Sequence, residues 1–116
     1  MKTEDAYKFI AEEGLESIGA LLWESIAIET IVYNRSTRSI YWAVTGDERV
    51  RTSVAPSDAA SSRAFEAALF LRDDLLKTTG HLCYGFTFTL FKDGQFDIQY
   101  RYDNPYKDIE EQMAAE

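Results

Sequence analysis

His81 and Cys83 stand two residues apart, a spacing that puts both side chains on one face of a strand. A Cys–His catalytic pair needs hydrogen-bond reach between the two, an activated thiolate and a third group to orient the imidazole. The chain has one histidine and one cysteine, and no orienting third group is identifiable beside them. They fit a strand-entry histidine and a small buried thiol better. Zinc needs three or four ligands, which this pair alone does not supply. One cysteine also excludes an internal disulfide. The acid pairs Asp73-Asp74 and Glu110-Glu111 invite general acid–base chemistry. Asp73-Asp74, however, sits near Arg72 and Lys77 on a helical stretch, where solvated ion pairing is the simpler account. Glycine-rich phosphate loops, GxSxG elbows and HExxH are absent. The expectation is a protein that is not an enzyme, with no cofactor and no metal.

The more informative acids are Glu29, Asp97 and Asp103. The chain of 116 residues carries a formal charge of −8, with a net of −5 over residues 1–30, +1 over 31–80 and −4 over 81–116. Such a field repels a phosphate backbone and an anionic bilayer, so neither direct nucleic-acid binding nor membrane binding is expected. A basic partner is steered inward. No apolar run approaches the roughly 20 residues of a membrane span. The Met-Lys-Thr-Glu-Asp start is too acidic for a secretory signal, so a cytoplasmic location is expected. At 13.3 kDa the chain is expected to form one domain over residues 1–116, with 46% hydrophobic and 28% charged residues.

Periodicity supplies the elements that must position those acids. Tyr7, Ile10, Ala11, Gly14, Ile18, Leu21 and Leu22 recur at helical spacing and predict a helix over 4–22, with Thr3 as N-cap. Glu12, Glu13 and Glu16 fall mainly on its other face. Residues 25–33 alternate as a strand, with Ile26, Ile28, Thr30 and Val32 on one side. Ala27, Glu29, Ile31 and Tyr33 take the other side. A polar turn over 34–38 leads to a strand over 39–45, with Ile40, Trp42 and Val44 on one face. Gly46-Asp47 turns the chain into a short strand over 49–54. Ser57 or Asp58 opens a second helix that runs to about Lys77, with Ala64, Ala68, Leu71 and Leu75 as its stripe and Gly80 as its cap. Asn104-Pro105 breaks the last strand, and residues 106–116 predict a short, frayed acidic helix.

The closing hairpin is the clearest feature. Phe86-Thr-Phe-Thr-Leu90 and Phe96-Asp-Ile-Gln-Tyr-Arg-Tyr102 both alternate. A two-residue turn at Asp93-Gly94 would set the apolar row of one strand against the polar row of the other. A three-residue loop, Lys92-Asp93-Gly94, with Gly94 left-handed in a bulge, pairs Leu90 with Phe96, Phe88 with Ile98 and Phe86 with Tyr100. The second register buries every large apolar residue together.

These elements predict an α+β two-layer sandwich of order α-β-β-(β)-α-β-β, with two helices on one face of an antiparallel sheet of four to five strands. The other sheet face then carries Glu29, Ile31, Tyr33, Thr87, Thr89, Phe91, Asp97, Gln99, Arg101 and Asp103. Acids interleaved with aromatics and hydroxyls suit recognition of a basic protein, with Tyr33 and Phe91 as candidate anchors.

Three stretches of the sequence resemble the YezG-like immunity protein family. They are Trp23-Glu-Ser-Ile-Ala-Ile-Glu-Thr-Ile-Val32, Ser39-Ile-Tyr-Trp42, and Phe86-Thr-Phe-Thr-Leu-Phe-Lys-Asp-Gly-Gln-Phe-Asp-Ile-Gln-Tyr-Arg-Tyr-Asp103, with a central helix before the third. The order of elements matches along nearly the whole chain, and the closing hairpin is the most specific piece. The family often has a tryptophan just before the Phe-Thr-Phe strand, where this chain has Cys83 and Tyr84. The resemblance implies a cytoplasmic antitoxin that binds a cognate contact-delivered toxin, often a nuclease domain, by stoichiometric protein–protein inhibition. The candidate toxin-binding residues, read from the outward sheet face, are Glu29, Tyr33, Thr87, Thr89, Phe91, Asp97, Gln99, Arg101 and Asp103. A non-catalytic scaffold that binds a small ligand or oligomerises is the alternative.

Overall fold

The computed structural model describes residues 1–52 and 54–104. The helix expected over 106–116 and the break at Pro105 lie outside the described residues. Two helices and five strands follow in the order α1 (Thr3–Ile18), β1 (Ser25–Tyr33), β2 (Ser36–Thr45), β3 (Glu48–Arg51), α2 (Asp58–Thr79), β4 (Gly85–Phe91) and β5 (Phe96–Arg101). The strands form one sheet of order β3-β2-β1-β4-β5, antiparallel at every pairing. Both helices pack on the same face of the sheet, as the apolar stripes require.

The core follows from strand alternation. Ile26, Ile28, Thr30 and Val32 of β1 are buried, and β4 buries Phe86, Phe88 and Leu90 beside them. From the helices come Ala6, Ile10 and Ile18, then Ala64, Ala67, Ala68 and Leu71. Small residues on α2 let it lie close. Gly14 does the same for α1, because a Cβ there would stand 2.5 Å from Ile28 Cδ1.

Helix α1 departs from expectation in three ways. Lys2, not Thr3, is the N-cap, and the Asp5 carboxylate accepts the Lys2 backbone N–H at 3.0 Å. The helix stops at Ile18 because Gly19 takes a positive φ of 57° with ψ −130°, a conformation outside the helical region that glycine adopts readily. Leu21 and Leu22 therefore fall outside it, and Leu22 is 88% exposed. Glu13 points inward: it shares the Ile10–Ser17 stripe, so helical geometry overrides its polarity.

Helix α2 meets both cap expectations. Ser57 Oγ accepts from the Ala60 N–H at 3.2 Å. Gly80 is left-handed at φ 78° and donates its N–H to Leu76 O at 3.0 Å.

The β1–β2 turn is tighter than the polar stretch suggests. Tyr33 pairs with Ser36, leaving only Asn34 and Arg35 between them, with Asn34 at φ 55°. Strand β2 thus gains Ser36, Thr37 and Arg38. Strand β3 is shorter than expected, ending at Arg51.

The β4–β5 hairpin adopts the bulged register. Leu90 pairs with Phe96, Phe88 with Ile98 and Phe86 with Tyr100. Gly94 sits at φ 90° and donates to Phe91 O at 3.0 Å, while Phe91 N donates to Gln95 O at 2.8 Å. The aromatic ladder this register creates stacks Phe88 on Phe96 with centroids 5.0 Å apart.

Candidate functional site

The face away from the helices is built by the odd-numbered residues of β1, β4 and β5 and by their cross-strand partners. Glu29 lies between Ile40 and Thr87, Thr87 beside Gln99, and Thr89 beside Asp97. Phe91 stands opposite Ser25, and Arg101 opposite Gly85. These residues share one surface, as alternation placed them. Asp103 follows β5, with Arg101 Nε 3.3 Å from its carboxylate.

Tyr33 and Phe91 are not brought together. Phe91 is level with Ser25, eight residues along β1 from Tyr33, which is roughly 26 Å at strand rise. One anchor pocket cannot hold both. The centre of the face instead holds a shallow depression of about 460 Å³, lined by Glu29, Ile31, Arg38, Ile40, Gln99 and Arg101. Ile31 and Ile40 are half-buried there, and Trp42, two residues along β2 from Ile40 on the same face, is half-buried too.

The sign of the face also differs from the expected acidic surface. Register places Arg38, Arg49, Arg51 and Arg101 on it, against Glu29 and Asp97. Arg49 Nη2 meets Glu29 Oε1 at 2.7 Å and stacks 4.4 Å above the Trp42 ring. Glu29 and Asp103 are both occupied by arginines, so Asp97 is the acid of the three without an ion pair among the described residues. Excess negative charge lies instead on the helices, which carry nine acids and four bases between them. The sequence reading missed Arg38, Ile40, Trp42, Arg49 and Arg51 because their side depends on the β1–β2 register. The usable signal was Asn34, a residue type that tolerates left-handed geometry and so fixes a two-residue turn.

Trp42 Nε1 is buried with no hydrogen-bond partner among the described residues. Its indole therefore contributes apolar surface under Arg49 and leaves one donor unspent.

A second feature lies on the helix side, where the sequence placed nothing. Glu13 is only 6% exposed. The Tyr41 and Ser61 hydroxyls beside its carboxyl favour the charged form, yet burial dominates and pushes its pKa above the ordinary 4.5, with nearby Glu16 adding to the rise. The Tyr41 phenol is raised in turn, by its own burial and then by Glu13. An open cavity of about 360 Å³ adjoins this carboxyl, lined also by Thr37, Ser39, Ser61 and Phe65.

His81 and Cys83 have separate surroundings. Cys83 is buried, its thiol donates to Gly85 O at 2.9 Å, and burial raises its pKa, which disfavours the thiolate. The His81 ring meets Tyr102 edge-on at 6.1 Å. Among the described residues no three His, Cys, Asp or Glu side chains are placed to hold a metal ion. Among them, too, no helix is long and apolar enough to cross a membrane.

Fold and face together define an α+β two-layer module with one sheet surface left open by the described residues. Compared with known proteins, the chain matches no family model and no curated protein sequence.

Proposed function

We propose that this chain is an immunity-type inhibitor, neutralising a cognate toxin stoichiometrically by covering it with the open sheet face. The observation that carries this reading is the make-up of that face. Ile31, Ile40 and Trp42 form an apolar centre, and a ring of arginines and carboxylates surrounds it, several already paired with one another. An apolar centre with a polar rim is the pattern of a protein interface, and a desolvated aromatic such as Trp42 is a typical anchor. The resemblance of the closing hairpin and of β1 to immunity proteins points the same way.

Charge has two roles in this reading. The net −8 steers a basic partner, such as a nuclease domain, from a distance. On the face itself, Arg38 and Arg51 make no ion pair among the described residues, so they meet acidic or carbonyl groups of that partner. The inhibitor acts in the cytoplasm, needs no cofactor, and touches neither nucleic acid nor membrane directly.

The test is co-purification with the product of a toxin reading frame adjacent to its gene. A one-to-one complex that Ile31→Asp weakens by at least about tenfold supports the reading. Wild-type affinity in Ile31→Asp removes the sheet face as the interface. A homodimer through this face, with no toxin bound, supports the oligomerising scaffold instead.

A further inference from the structure

We propose that the free edge of β2 accepts an extended segment of a partner protein, one of whose lysine or arginine side chains enters the cavity at Glu13. The inference requires that the chain bind a protein, but not that the open sheet face be the contact.

The edge follows from register. Strand β3 pairs only with Trp42–Thr45, so among the described residues no strand flanks the outer side of Ser36–Ile40. Tyr41 O accepts the Thr52 N–H at 3.1 Å on that outer side. Alternation then turns the backbone groups of Ser39 and Thr37 outward as well. The 2.8 Å contact between Thr30 Oγ1 and Ser39 Oγ fits this phase, because side chains approach most closely in a pair that exchanges no backbone bonds. An outward N–H and C=O on alternate residues is the template for strand addition.

The cavity supplies the specificity. Side chains of Thr37, Ser39 and Tyr41 project from the same edge into the space beside Glu13, with Ser61 and Phe65 across it. A strand laid along the edge sends alternate side chains into that space. Glu13 is a buried carboxyl with no ion pair among the described residues, and Glu16 adds a like charge nearby. Burying a carboxylate is costly unless a cation joins it. An ammonium or guanidinium offers that charge, and the hydroxyl oxygens of the lining accept its remaining N–H groups.

The experiment is an NMR titration of the isotope-labelled protein with the blocked peptide Val-Thr-Lys-Thr-Val-Thr and with its norleucine-for-lysine analogue. The lysine peptide is expected to shift Thr37, Ser39 and Ser61, to slow amide exchange at Thr37 and Ser39, and to bind at least about tenfold tighter than the analogue. Glu13→Gln, which keeps the volume, is expected to erase that preference, while Asp93→Asn, which removes a carboxyl from the distant β4–β5 loop, retains it. Ile31→Asp is expected to leave peptide binding unchanged, so failure here and failure of the sheet-face reading are read separately. Equal binding of the two peptides, no effect of Glu13→Gln, or shifts confined to the open sheet face would overturn the proposal.

Discussion

The hydroxyl of Tyr7 lies 3.1 Å from that of Tyr100, joining the first helix to the last strand. Each ring also packs against the core, and Tyr7 stands 5.0 Å from Phe96. Burial first, and the bond to Tyr7 second, push the Tyr100 phenol above its ordinary pKa of 10.0, so Tyr100 stays neutral across the physiological range.

Tyr100→Phe is expected to lower stability by about 1 kcal/mol, the usual net worth of one such bond. Tyr7→Phe in the same background should then lose much less than it does alone. Urea denaturation of the four variants gives the coupling, and strict additivity would deny the bond any role.

Two glutamates on α1 are expected to give opposite pH dependence. Glu13 has a raised folded pKa, so the folded state holds its proton more tightly than the unfolded state. Its effect is absent below the ordinary 4.5, and stability falls as pH climbs from there through the folded value. Glu13→Gln is therefore expected to match wild type in acid and to exceed it at neutral pH. Glu16 accepts the Ser57 backbone N–H at 3.0 Å, and that bond lowers its pKa. Its contribution is present above 4.5 and is lost as pH falls through the folded value. Glu16→Gln is expected to cost stability at neutral pH only. Chemical denaturation at the two ends of this window checks both signs.

Glycine substitutions separate sterics from backbone conformation. A Cβ at Gly85 would run into the Thr30 carbonyl, which cannot move without breaking the β1–β4 pairing. Gly94 has open space around it but sits at φ 90°. Gly85→Ala is expected to destabilise more than Gly94→Ala. Gly94→Val is expected to lower stability by roughly 1–3 kcal/mol through backbone strain alone. An unchanged melting temperature for Gly94→Val would contradict the bulged loop.

Charge reversal on the open face reports which groups the proposed partner meets. Arg38→Glu with Arg51→Glu is expected to weaken binding at least about tenfold through faster dissociation, because the local partners of the two guanidiniums are lost while the added negative charge keeps association with a basic partner fast. Reversal of Asp97 with Asp103 is expected to have the smaller effect, since Arg101 already neutralises Asp103. Surface plasmon resonance at two ionic strengths distinguishes them. The opposite ranking would show that a basic surface docks here.

Alternation and capping are local properties, so the α+β order, the limits of β1, a start for α2 at Ser57 or Asp58, its Gly80 cap and the bulged β4–β5 register were legible in the residues. In the hairpin only one register buries Phe86, Phe88, Leu90, Phe96, Ile98 and Tyr100 together, and hydrophobic burial chose it. Tertiary structure alone decided what lies across from what. The Asn34-Arg35 turn set β2 against β1, which put Arg38, Ile40 and Trp42 on the open face and changed its charge. Helix α1 turned Glu13 inward because apolar residues of the same stripe, Ala6 and Ile10, had to be buried. A carboxyl's polarity is written in the sequence; its desolvation depends on what packs over it.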